Sequence, residues 1–174
     1  MPDLGRRAWC ASLALAAFSA RSAPGITAPP ALLIPVEGVT AAQLRDTFDE
    51  RRGGDRRGHE AIDIAAPTGT PVLAVDDGRI EKLFWSRLGG HTVYQFDASG
   101  QFAYYYAHLD RYAPGLTQGQ QVRRGTVIGH VGSSGNARPE SPHLHFAVFR
   151  LGPLRHWWKG EPINPFGLLG GQAR

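Results

Sequence analysis

From Glu60 onward the apolar positions come in short runs cut by turn residues, which predicts strands and turns rather than long helices. AIDIAA and TPVLAV read as two strands, with Pro67 and Gly69 between them. Asp76, Asp77 and Gly78 turn the chain into RIEKLFW. Thr92 to Phe96 and Gln101 to Tyr106 flank DASG as a hairpin, TVIGHVG is a further short strand, and His143 to Phe149 is the last. Upstream, Leu32 to Val36 reads as a first strand. Thr40 and Gln43 fit a capping box, and Leu44 and Phe48 stand four apart, so a short N-terminal helix is expected over 41–48. Trp157, Trp158 and INPF are expected to cover one end of the sheet. The abundance of turn formers, 22 glycines and 13 prolines, favours the same mainly β fold class over a helical one.

The first residues break this pattern. Arg6 and Arg7 precede an apolar run from Ala8 to Ala20, and small residues follow. That describes a secretory signal peptide, and the run is too short to span a bilayer comfortably. The expected organisation is a signal peptide over 1–22 (with cleavage after Ala20 as the alternative), a flexible leader over 23–31, and one domain over 32–168. The mature protein is then exported to the periplasm or cell envelope with no stable membrane span. Cys10 is the only cysteine, so the mature chain has no thiol and no disulfide. Processing also removes Arg6, Arg7, Arg21 and Asp3, leaving 16 basic and 14 acidic residues of the original 19 and 15. So small an excess gives no reason to expect nucleic acid as a partner, and no protein partner is indicated. Arg51, Arg52, Arg56 and Arg57 form a local basic cluster, read either as a solvated loop or as an electropositive rim for an anionic polymer.

The last strand, within SPHLHFAVFR, sorts its residues by face. Leu144, Phe146 and Val148 make a side fit for a core, while His143, His145 and Ala147 share the other. Two imidazoles looking outward together suit a metal or catalytic site, although the pair alone does not separate this from surface histidines. His59 and Asp63, four apart in GHEAID, are expected on one face of a strand, with small Ala61 between them. An imidazole, a carboxylate and an imidazole from another strand would make a three-ligand zinc site with an open fourth position. His108, in YAHL, adds a further imidazole, while His91, His130 and His156 carry no comparable pattern. GHVGSSG lacks the ending of a phosphate-binding loop and reads as turn glycines. A cupin-type metal barrel fits poorly, because the next glutamate after His145 is Glu161.

In order along the chain, HEAID, YAHL and PHLHF resemble the motifs of the lysostaphin-type (LytM-like) zinc endopeptidases of bacterial cell walls. GTPVLAVDDGRI and VRRGTVIGHVGSSGN also look like that family's connecting segments, so the resemblance covers roughly residues 55–150. It implies a mainly antiparallel sheet with a groove walled by loops. It implies that His59, Asp63 and His145 bind one zinc per chain, that His108 and His143 handle protons around the attacking water, and that peptidoglycan is the substrate. The alternative it leaves is a catalytically silent module that activates another wall hydrolase, but silent relatives usually lose ligands or catalytic histidines. Two departures stand out. Ala61 occupies a position that is often glycine in the family, and the tyrosine that some members carry before the first metal histidine is replaced by GGDRRG. Arg56 or Arg57 is expected to take over that tyrosine's oxyanion role or to bind a substrate carboxylate.

Overall fold

The computed structural model describes residues 30–51 and 58–170. The expected signal peptide, most of the leader, and Arg52, Arg56 and Arg57 lie outside the described residues. Among the described residues, nine strands follow one another: β1 (Ile62–Ala65), β2 (Pro71–Leu73), β3 (Gly78–Ser86), β4 (Gly90–Asp97), β5 (Phe102–Tyr112), β6 (Gln121–Val122), β7 (Val127–Val131), β8 (His143–Leu151) and β9 (Gly160–Ile163). Every pairing between them is antiparallel. The main sheet runs β1-β8-β5-β4-β3-β6, β9 extends the outer edge of β8, and β7 joins β5 to β2. Among the described residues, no helix is long and apolar enough to cross a membrane.

The alternation read in the last strand holds. Leu144, Phe146 and Val148 are fully buried, and they join Ile62, Tyr104, Tyr106 and Leu109 in one apolar cluster on that face of the sheet. Tyr106 carries its polar tip into this core and satisfies it there. Its hydroxyl donates to Gln95 Oε1 at 2.7 Å and accepts from the Val75 N–H at 3.0 Å, while Gln95 Nε2 donates to the Asp76 carbonyl at 2.7 Å. A buried hydroxyl left unpaired would cost about 1–3 kcal/mol, so this chain of bonds ties the 74–76 turn to the sheet. The opposite face is polar and aromatic, and it carries the site.

Several expectations fail upstream and at the end. Leu32 to Val36 forms two isolated bridges, Leu32 to Leu169 and Val36 to Val72, instead of a strand. Pro35 has no N–H to give a ladder. The helix over 41–48 shrinks to a single 3-10 turn, Ala41–Gln43. The Gln43 side chain does reach back to the Thr40 N–H at 2.9 Å, but Leu44 is already extended at φ −71° and ψ 146°. The reason lies downstream. The carbonyls of Thr47, Phe48 and Glu50 accept from His59 Nδ1, the Glu60 N–H and the His59 N–H, bonds that a helix would redirect along its own axis. Asp46 also bonds the Phe48 N–H at 3.1 Å, a local turn that competes with helix. Trp157 packs against Phe84 of β3 and Tyr94 of β4, so it covers a face of the sheet, and Pro162 and Ile163 belong to β9.

Candidate metal and catalytic site

Strand register builds one half of the site. Asp63 on β1 lies directly opposite His145 on β8, and His145 lies opposite Ala107 on β5. His59 arrives differently from the expectation. It stands outside β1, and Glu60, at φ +53°, breaks the alternation that was to align it with Asp63. It is instead tethered to the 47–50 segment: its ring Nδ1 lies 2.9 Å from the Thr47 carbonyl, and the Asp63 N–H donates to Thr47 Oγ1 at 3.2 Å. Local strand geometry therefore fails for this pair, yet tertiary contacts bring the two side chains together.

The result is a tight triangle. His59 Nε2 is 3.0 Å from Asp63 Oδ1 and 3.1 Å from His145 Nδ1, and the third edge, from His145 Nδ1 to Asp63 Oδ1, is 3.1 Å. Donors about 2.0–2.1 Å from a tetrahedral zinc stand roughly 3.3 Å apart, so these three residues could hold a metal ion. The chemistry agrees with the spacing. A carbonyl accepts only from N–H, so Thr47 fixes the proton on His59 Nδ1 and leaves Nε2 with a lone pair in the neutral ring. That lone pair faces a carboxylate oxygen, an arrangement that asks for a positive charge between them. Burial by itself would raise the Asp63 carboxyl, but when the His145 and His59 rings are protonated, their hydrogen bonds and charges outweigh it and hold the group well below the usual carboxylate range.

His108 reaches the site through a bulge. β5 pairs with β8 up to Ala107 and with β7 from Leu109, so His108 sits where the strand changes partner. On the β4 side, Ala107 and His108 together oppose the single residue Thr92. The extra residue, at φ +59°, turns the His108 ring to the site face instead of the core. Its ring centroid lies 5.0 Å from that of His143 and 5.6 Å from that of His145. The His108 Nδ1 is held by the Ser134 carbonyl at 2.9 Å, and burial pushes the imidazole down to about 4. His143 is oriented the same way, by the Ser141 carbonyl at 2.8 Å, and its Nε2 lies 3.7 Å from Asp63 Oδ2. Beside these groups opens a cavity of about 440 Å³. Asp63, His108 and His143 line it from the sheet, and Asn136, Arg138 and Ser141 line it from the loop before β8.

This constellation can be set beside known proteins. Residues 57–165 match the profile of peptidase family M23. The chain belongs to that family. It is 39% identical over 124 residues to the L-Ala–D-Glu endopeptidase of Bacillus subtilis, covering 68% of this chain and 38% of that protein. It is 36% identical over 108 residues to the peptidoglycan DD-endopeptidase ShyC of Vibrio cholerae, covering 60% and 24%. It thus spans well under half the length of these curated relatives. The catalytic domain of lysostaphin from Staphylococcus simulans superposes with a TM-score of 0.61 at 27% identity, covering 71% of this chain and 89% of that domain. The catalytic domain of the M23 protein EnpA from Enterococcus faecalis gives 0.57 at 31% identity, covering 70% and 87%. The expected family and its mainly antiparallel fold are therefore established for this chain.

All five site residues named from the M23 resemblance meet in one place, and His91, His130 and His156 lie elsewhere. His91 meets Tyr112 edge to face, His156 stacks on Trp158, and His130 pairs within the β2–β7 ribbon. Sequence reading missed Thr47, Ser134 and Ser141. All three orient a site imidazole through a backbone carbonyl, which every residue type possesses, and Thr47 adds its hydroxyl oxygen to the Asp63 N–H.

Proposed function

We propose that this chain is an exported zinc metalloendopeptidase that hydrolyses peptide bonds in peptidoglycan. His59, Asp63 and His145 would hold one zinc per chain. The observation that carries the reading is the triangle of donor atoms with two further imidazoles at an open cavity. When bound, zinc supplies Lewis acidity: it acidifies water to a pKa of about 7 and polarises a carbonyl oxygen. The remaining chemistry belongs to His108 and His143. Each commits Nδ1–H to a backbone carbonyl, so each presents Nε2 to take a proton from the attacking water and pass one to the leaving amine. Burial keeps the His108 ring neutral at neutral pH, so its Nε2 lone pair is open to a hydrogen bond from water. The name of the Bacillus subtilis relative supports a cut within the stem peptide, on the amino side of a glutamate. The basic start and apolar run at residues 6–20 support export, and N-terminal sequencing of the mature protein from cell fractions would show its place.

The test is digestion of purified peptidoglycan with mass identification of the products. Soluble fragments ending at a cut peptide bond are expected, with loss of release on chelation and recovery on adding zinc. Hydrolysis that persists after verified metal removal would count decisively against this mechanism.

A further inference from the structure

We infer that Arg138 reads a free carboxylate on the substrate residue that follows the scissile bond. The inference rests on the peptidoglycan reading above and deepens it. Arg138 lies in the loop between β7 and β8, and it lines the same cavity as Asp63, His108 and His143. Among the described residues, no other lysine or arginine lines that cavity. Among the described residues, Arg79, Arg111 and Arg150 each pair with a neighbouring carboxylate, whereas Arg138 forms no ion pair. An exposed guanidinium without a partner is ordinary on a protein surface. One that lines the cavity holding the reactive groups is available to whatever enters it.

The loop is held firmly enough to aim it. The Asn136 N–H donates to the Leu88 carbonyl at 3.0 Å, and the Ser141 N–H closes a turn onto the Arg138 carbonyl itself at 3.0 Å. Ser134 Oγ donates to the Leu109 carbonyl at 2.6 Å and accepts from the His91 N–H at 3.0 Å. Arg138 thus rises from a backbone anchored on both sides to the sheet or to its own turn.

The ligand follows from the chemistry of glutamate. A glutamate within a peptide uses one carboxyl to continue the chain and keeps the other free. When the bond before it is cut, its nitrogen is the leaving amine, so the free carboxylate sits on the same residue as the reacting atom. A carboxylate entering the cavity gives up water, and a guanidinium on the loop wall supplies the opposite charge that replaces it. Its planar fork also matches a carboxylate with two parallel hydrogen bonds, which an amide in the same place cannot accept.

The test uses the full mature chain loaded with zinc and two synthetic stem peptides, L-Ala–D-Glu-containing, with the free carboxylate of glutamate either intact or amidated. A third peptide carries an amidated C-terminus. The expected result is a kcat/KM roughly 10- to 100-fold higher for the free-carboxylate peptide, the size of one charge-assisted contact. That preference should sit in KM, disappear in Arg138→Ala, and survive in part in Arg138→Lys, which keeps the charge but loses the fork. Arg79→Ala, at an exposed arginine that lines a different pocket, should retain it, which separates a local contact from net charge. Calorimetric binding of the cut fragments, beginning with glutamate or its amide, gives a readout independent of hydrolysis. Arg138-dependent binding without cutting supports this inference and sinks the hydrolase reading. Cutting with the same preference in wild type and Arg138→Ala overturns the inference and leaves the hydrolase reading standing. No discrimination by wild type, or a preference that follows the C-terminal carboxylate instead, also overturns it.

Discussion

Three imidazoles at the site are oriented by carbonyls of the backbone: His59 by Thr47, His108 by Ser134 and His143 by Ser141. His145 differs, turning Nδ1 toward Asp63 and His59. This difference separates the roles proposed for the two histidines of β8. His145→Ala removes a corner of the triangle, so zinc content and thermal midpoint should fall together. His143→Ala leaves the triangle intact, so zinc should stay near one per chain while turnover drops by about 10²–10⁴, the cost of one proton-transfer group. Metal analysis beside a turnover assay distinguishes the two. Zinc lost from His143→Ala and kept in His145→Ala would reverse the assignment.

At the level of elements, the site depends on how the loop before β8 docks on the start of β4. Gly135, at φ +79°, lets the loop backbone approach so closely that a Cβ there would lie 2.4 Å from both the Gly90 nitrogen and the Leu88 carbonyl oxygen. The neighbouring Ser134 carbonyl holds His108, so the fit of this contact sets the position of a ring in the bulge of β5. Gly135→Ala should therefore cost about 1–3 kcal/mol in strain and lower turnover without emptying the metal site. Gly152→Ala, with open space around it and an ordinary φ, should be close to neutral. Unfolding midpoints and zinc content for both variants check this, and an unaltered midpoint for Gly135→Ala would contradict the close docking.

For the molecule as a whole, burial of tyrosines links folding to alkaline pH. Burial pushes the Tyr94 phenol up to about 12 and raises Tyr104, Tyr105 and Tyr106 further. In the unfolded chain these groups ionise near pH 10. A phenol whose folded value lies above its unfolded one favours the fold fully below that pH, and this contribution is lost as pH rises toward the folded value. The thermal midpoint should stay flat up to about pH 10 and then fall, with the phenolate absorbance of Tyr94, Tyr104, Tyr105 and Tyr106 appearing together with unfolding. Phenolate beyond the single half-exposed Tyr112, formed in a still-folded protein near pH 10, would show that these rings are not shielded.

The residues by themselves determined the strand-rich class and the buried face of β8, because alternation is a local property, and the ordered motifs HEAID, YAHL and PHLHF carried the family resemblance that implied the five candidate side chains. They also determined that His143 and His145 share a face, which a strand imposes whatever surrounds it. Tertiary structure decided the rest. The segment around Thr47 gave up the helix expected there because its carbonyls are drawn to His59 and Glu60, partners that only the folded chain brings near. His59 met Asp63 through that contact and not through strand alternation, since the positive φ of Glu60 interrupts the strand rule. His108 faces the site only because β5 bulges where it trades β8 for β7. Arg138, unremarkable in the sequence, lines the cavity because the loop that carries it is anchored against β4. In each case the deciding interaction uses a backbone group far away in the chain, and such groups are the same for every residue type and leave no trace in a pattern of side chains.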